Sequence, residues 1–249
     1  MIEQKLEISL PDGVAEAFFY KPDSVGDFPG VIFLTDIWGI RPANQGVAKR
    51  LAERGFAVLV PNVFFRHGRL PLVPPGFQFK AGEPRSMRIM AELFQALTAK
   101  QMSADGPAYL DNLFKQKGVA GEKAGVVGYC FTGAMALRMA AASPERIAAA
   151  ASFHGGRLVQ EGDPDSPHLL LPKIKARLYF GHAVEDQSMT AEQIAILEAA
   201  LRDWRGAFQS KIYEGARHGW TVPGGPAYNE LQAERAFEKL VELFDATLE

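Results

Sequence analysis

Apolar and polar residues alternate along Leu6-Glu7-Ile8-Ser9-Leu10 and again over residues 15–20, the period-two pattern of strands with one buried face. Pro11-Asp12-Gly13 lies between them. Proline presets φ and glycine accepts positive φ, so the two segments read as an antiparallel hairpin. The pattern then changes: 30–34, 57–60, 124–127 and 147–151 are short, continuous apolar runs, as expected of strands buried on both faces of a parallel sheet. Runs over 176–180 and 208–213 complete the series. Helical spacing of apolar residues marks 44–54, 87–99, 131–142, 192–204 and 230–248. This alternation predicts an α/β fold: a mostly parallel, doubly wound sheet with crossover helices and an antiparallel N-terminal hairpin. Nothing along the chain reads as a repeat or linker, so one domain is expected over 1–249. The irregular stretch 62–84, rich in proline and glycine, is long enough to be expected at the border of a pocket.

Composition narrows the partners. Hydrophobic residues make up 47% and charged residues 22%, with a formal net charge of -2, so no global field favours nucleic acid or an anionic membrane. No apolar run approaches the ~18 residues that a spanning helix needs. Met1-Ile2-Glu3-Gln4-Lys5 does not begin a secretory signal pattern. The single cysteine, Cys130, cannot form an internal disulfide, and a reducing, cytoplasmic location is expected. The partner is then a small molecule, with the choice between monomer and dimer left open.

In a parallel sheet, reactive side chains gather in the loops at the C-terminal strand ends. Three positions fall there. Cys130 follows the 124–127 strand within Gly128-Tyr129-Cys130-Phe131-Thr132-Gly133 and precedes an alanine-rich helix. A nucleophile on such a strand-to-helix turn needs small neighbours, which Gly128 and Gly133 supply, and the helix N-terminus favours thiolate. The plainer alternative is a buried, inert thiol. His218 follows the last strand and is the candidate base, with His67, His154, His168 and His182 as competitors. His154 also ends a strand, where it would line the site without acting as base. Asp186, with Glu185 in reserve, is placed to orient the histidine. No histidine shows zinc-motif spacing, so no metal is expected.

Two N–H donors are needed for an oxyanion. Phe131, directly after the cysteine, is one candidate, and Ile37 in Thr35-Asp36-Ile37-Trp38-Gly39 is the other. Trp38 and Trp220 are candidates for either pocket walls or core packing.

At these motifs the sequence resembles the dienelactone hydrolase (carboxymethylenebutenolidase) family of α/β-hydrolases. The likeness runs through the strand and loop over 31–39, Gly128-Tyr129-Cys130, the loop over 181–186, His218-Gly219, and Tyr228 with the helix after it. It implies the α/β-hydrolase fold and a cofactor-independent Cys130-His218-Asp186 triad that opens a lactone or cleaves an activated ester by way of an acyl-enzyme. The sequence departs from the family in several places. Thr132 stands where the family's G-x-C-x-G-G has its first paired glycine, so its hydroxyl either caps the helix or reshapes the turn. Asp36 stands where bacterial members carry a glutamate that holds the resting thiol neutral. Members of the dienelactone type grip a substrate carboxylate with arginines; Thr221-Val222-Pro223 offers none where one is expected after the histidine, and Arg85 or Arg88 is the candidate for the other. Two alternatives stand beside lactone opening: a thioesterase or general esterase with the same triad, and a non-catalytic binding protein on the same fold.

Overall fold

The computed structural model describes residues 1–74, 76, 77, 79, 80 and 82–248. Residues 75, 78 and 81 of the irregular 62–84 stretch lie outside the described set. The opening hairpin is formed by β1 (Ile2–Leu10) and β2 (Gly13–Lys21), paired antiparallel from Ile2↔Lys21 to Leu10↔Gly13. The chain then alternates through β3 (Phe28–Leu34), α1 (Pro42–Glu53), β4 (Ala57–Pro61), α2 (Pro84–Ala96), α3 (Ala99–Phe114), β5 (Val119–Tyr129), α4 (Thr132–Ala142) and β6 (Ile147–Phe153). A short 3-10 turn at Pro167–Lys173 leads to β7 (Arg177–His182), α5 (Ala191–Trp204), β8 (Phe208–Ile212) and α6 (Glu230–Asp245).

The strands form one sheet in the order β1-β2-β4-β3-β5-β6-β7-β8. β2 joins β4 antiparallel, and every pairing from β4 through β8 is parallel. This is the mostly parallel α/β-hydrolase architecture, with its antiparallel hairpin at one edge. From β3 the chain winds first to β4 on one side and then to β5 on the other. The loops after β3 and β5 therefore diverge across a switch point, where such sheets leave a crevice.

Residue alternation explains why the strand runs are continuously apolar. Val31 and Phe33 pack into a layer with Leu51 of α1 and Leu240 and Phe244 of α6. Ile32 and Leu34 face the opposite layer, with Leu110 of α3, Met135 of α4 and Leu197 of α5. With helices on both faces, neither side of the central strands meets water.

One helix lies outside the predicted set. α3 contains Asp105-Gly106-Pro107, a sequence that reads as a turn and whose proline removes an interior donor. Tertiary contacts override that local signal. Thr98 and Gln101 form a capping box at its start, and Met102, Tyr109, Leu110 and Leu113 bury one face. Asp105, 2% exposed, takes a two-pronged ion pair from Arg66 at 2.7 and 2.9 Å. The same guanidinium grips Asp12 of the hairpin turn at 2.6 and 2.8 Å, which ties the 62–84 stretch to both elements. Among the described residues, no helix is long and apolar enough to cross a membrane.

Candidate active site

Cys130 makes the turn from β5 into α4 with a φ of 56°. This left-handed conformation costs an L residue roughly 1–2 kcal/mol, so the surroundings must hold it. The Cys130 N–H donates to the Phe153 carbonyl at 3.1 Å, and the Cys130 carbonyl accepts from the Gly133 and Gly156 N–H groups, each at 3.1 Å. The turn also demands small neighbours. A Cβ at Gly128 would fall 2.1 Å from the Thr132 carbonyl oxygen, and one at Gly133 would fall 2.3 Å from Ser152 Oγ.

Two other loops reach the thiol. His218, in the loop after β8, places Nε2 3.1 Å from Cys130 Sγ. Its Nδ1 lies 2.6 Å from Asp186 Oδ2, in the loop after β7. Asp186 is buried and the neighbouring Glu185 is exposed, so the structure brings Asp186 to the histidine. Ser188 completes the cluster: its hydroxyl donates to Asp186 Oδ1 at 2.5 Å, its N–H reaches the same oxygen at 2.9 Å, and its Oγ lies 3.0 Å from His218 Nδ1. Sequence reading did not single out Ser188. The available signal was a serine two residues after an aspartate in a loop, the spacing of an Asx turn.

The charges support one another. Burial works against a charged His218, but negative charge on Cys130 and the Asp186 contact outweigh it and push its pKa up to about 10. Burial also raises the Asp186 carboxyl, yet the His218 hydrogen bond and the Ser188 contacts bring it below its ordinary value. The arrangement favours a protonated His218 beside an ionised Asp186.

His154 ends β6 with a φ of 39° and is 1% exposed. Its ring stands edge-on to His218, 5.1 Å between centroids, and Nε2 lies 2.8 Å from Thr221 Oγ1. Burial, reinforced by the charge on His218, holds it well below its usual pKa, so it stays neutral. His67, His168 and His182 do not line the site.

Thr132 does something the sequence left open. Thr132 is the first residue of α4, and the cap position before it is Phe131. The buried Thr132 hydroxyl accepts from Tyr129 N–H at 3.0 Å and lies 2.8 Å from the Thr35 carbonyl, the nearest of three acceptors. The role of Asp36 was likewise open from the sequence. Its carboxylate pairs with Arg41 and accepts the Trp38 N–H at 2.9 Å, and among the described residues it makes no hydrogen bond to Cys130. Burial raises its pKa, with Arg41 the main opposing influence.

These residues open onto a cavity of about 850 Å³. Its lining includes Asp36, Ile37, Trp38, Cys130, Phe131 and His218. Among the described residues, neither the Ile37 nor the Phe131 N–H donates a hydrogen bond. Two expected pocket residues lie elsewhere. Arg85 is exposed on α2, about 140° around the helix from the cavity-lining Met90 at 100° per residue. Trp220 is fully buried behind the site, where it packs on His154 and Tyr213. Arg41 and Arg157 line the cavity instead, and neither was singled out from sequence. Among the described residues, no group of three or more His, Cys, Asp or Glu side chains is placed to hold a metal ion.

Residues 15–248 match the dienelactone hydrolase family. A Synechocystis sp. protein provisionally named carboxymethylenebutenolidase is 26% identical over 233 residues, covering 93% of this chain and 91% of that one. Hydrolase tropI of Talaromyces stipitatus is 28% identical over 236 residues, covering 91% of this chain and 84% of its own. In three dimensions, a Klebsiella pneumoniae structure provisionally described as a dienelactone hydrolase superposes with a TM-score of 0.85 at 21% identity, covering 98% of both chains; that likeness is one of fold. Since the family match runs from the second strand of the sheet to the end of the last helix, the chain belongs to the dienelactone hydrolase family.

Proposed function

We propose that the protein hydrolyses a carboxylic ester or lactone, with Cys130 as nucleophile, His218 as acid and base, and Asp186 as the residue that orients His218. The observation that carries this reading is the continuous chain of contacts from Cys130 Sγ to His218 Nε2 (3.1 Å) and from His218 Nδ1 to Asp186 Oδ2 (2.6 Å). The anionic sulfur attacks the carbonyl carbon, and the oxygen that becomes negative is received by the Ile37 and Phe131 N–H groups. His218 then gives its Nε2 proton to the departing alkoxide, leaving a thioester on Cys130. In the second half the neutral imidazole takes a proton from water as the water oxygen attacks the thioester. Collapse of that intermediate expels the Cys130 thiolate and releases the acid. In a lactone both products remain on one molecule. Asp186, held by two hydrogen bonds from Ser188, keeps the proton on His218 Nδ1 so that Nε2 faces the sulfur.

The test is a panel of p-nitrophenyl esters, enol-lactones and acyl thioesters, run with the wild-type protein and with Cys130→Ser and Cys130→Ala. Relative kcat/KM across the panel separates lactone opening from thioesterase and general esterase activity. Most turnover is lost in both variants while circular dichroism stays unchanged, and acid-quenched wild-type protein carries the acyl mass on the peptide containing Cys130. Full turnover by Cys130→Ala on every hydrolysed substrate would remove Cys130 from the role of nucleophile.

A further inference from the structure

The walls of the cavity carry information about the substrate beyond its ester or lactone bond. Trp38, directly after Ile37, stands with Phe77 and Phe79 at ring-centroid distances of 5.5 and 5.2 Å. Phe94 meets Phe131 edge-to-face at 4.6 Å, and Met90 lines the same cavity. Trp38, Phe77, Met90 and Phe94 are only half-buried, and Phe79 is exposed. Large apolar side chains gathered around Cys130 and left partly exposed among the described residues are surface kept for a ligand, not core filling.

Three of the four charged side chains in this lining, Asp36, Arg41 and His218, are already in ion pairs. Asp36 pairs with Arg41, and His218 pairs with Asp186. The fourth, Arg157, is exposed, with its Nε on Gln160 Oε1 at 3.1 Å and its guanidinium 5.8 Å from the centre of the Phe94 ring.

We infer that the cavity selects esters or lactones that carry an aromatic ring, seated between the Trp38 group and the Phe94–Phe131 pair. This rests on the ester- or lactone-hydrolase reading above. Both walls are covalently joined to the proposed oxyanion donors: Trp38 to Ile37 by one peptide bond, and the Phe131 ring to the Phe131 amide of its own residue. A ring held by these walls is thus positioned relative to the carbonyl oxygen, and the offset or edge-to-face contacts that aromatic rings prefer are available on both sides.

The experiment separates ring binding from turnover. Cys130→Ala protein is titrated calorimetrically with phenyl acetate and with ethyl acetate, alone and combined with Trp38→Ala or Phe94→Leu. Phenyl acetate is expected to bind roughly tenfold tighter or better, with that preference collapsing in both double variants. In the enzyme with Cys130 intact, the kcat/KM ratio of phenyl acetate to ethyl acetate falls by a similar factor on Trp38→Ala or Phe94→Leu. Phe94→Leu retains apolar bulk and serves if Trp38→Ala does not fold. Equal binding of the two probes, or a preference that survives both substitutions, overturns the inference. Should Cys130→Ala retain full turnover, the nucleophile assignment falls instead, and the calorimetric ratio still decides the ring site.

Discussion

The Thr132 hydroxyl lies 2.8 Å from the Thr35 carbonyl while accepting the Tyr129 N–H at 3.0 Å, so one oxygen joins the start of the loop after β3 to the turn at Cys130. Ile37 is two residues beyond Thr35, and Phe131 lies between Tyr129 and Thr132. The two proposed oxyanion donors are therefore held in register through this hydroxyl. Thr132→Val keeps the shape and removes the link, leaving a buried N–H and a buried carbonyl unmatched. We expect kcat to fall roughly 10- to 100-fold, less than or comparable to the loss of an oxyanion donor, with KM little changed. Thr132→Ser restores most of the rate. Steady-state kinetics of the three proteins on one activated ester makes the check; a Val variant as fast as Ser would show that the link is dispensable.

Gly128 and Gly46 make opposite predictions from the same substitution. A Cβ at Gly128 would stand 2.1 Å from the Thr132 carbonyl oxygen, a backbone atom that cannot rotate away. Gly128→Ala should destabilise by about 2–3 kcal/mol, which for a chain of this size is about 5–10 °C in Tm. At Gly46, inside α1, a Cβ meets nothing within 4 Å. Gly46→Ala should stabilise by about 0.5–1 kcal/mol. Thermal unfolding followed by circular dichroism measures both.

The pH response follows from His218. Its pKa in the fold, about 10, lies above the ordinary 6.5. The stabilising contribution is therefore complete below about 6.5 and is lost as pH rises through about 10. Activity should fall over the alkaline part of that window as the imidazolium that protonates the leaving group disappears. Asp186 is shifted the other way, so its contribution holds above its ordinary 3.8 and is lost as pH falls below it. Histidine titration by NMR, alongside kcat/KM against pH, checks the alkaline limb. A His218 that titrates near 6.5 would contradict the raised pKa that its contacts with Cys130 and Asp186 imply.

Asp186 and Ser188 should differ in weight. Asp186→Asn can present an N–H to His218 and favour the wrong tautomer, so a loss of roughly 100- to 10,000-fold in kcat is expected. Ser188→Ala removes the hydroxyl contact at 2.5 Å but keeps the N–H at 2.9 Å, so Asp186 stays oriented and the loss should be within about tenfold. Rate constants for the two variants on the same ester distinguish these outcomes. Equal losses would mean that the serine hydroxyl, not the turn backbone, orients the carboxylate.

The sequence alone determined the sheet and its reactive edge. Period-two alternation over 15–20, continuous apolar runs such as 30–34, and glycines flanking Cys130 are consequences of local geometry and burial, and they survive without knowledge of any distant contact. Cys130, His218 and Asp186 could be named because strand ends point them to the same edge. What only the tertiary structure decided depends on contacts between segments far apart in the chain. α3 forms through a turn-like Asp105-Gly106-Pro107 because Arg66, 39 residues away, pairs with Asp105. Asp36 faces Arg41 instead of the thiol because its loop folds back on the start of α1. Arg85 leaves the cavity because of its angle on α2, and Trp220 sinks behind His154. The Thr132 hydroxyl finds its acceptor 97 residues upstream, at Thr35. Side-chain partners of this kind are set by packing across the sheet, and no local pattern encodes them.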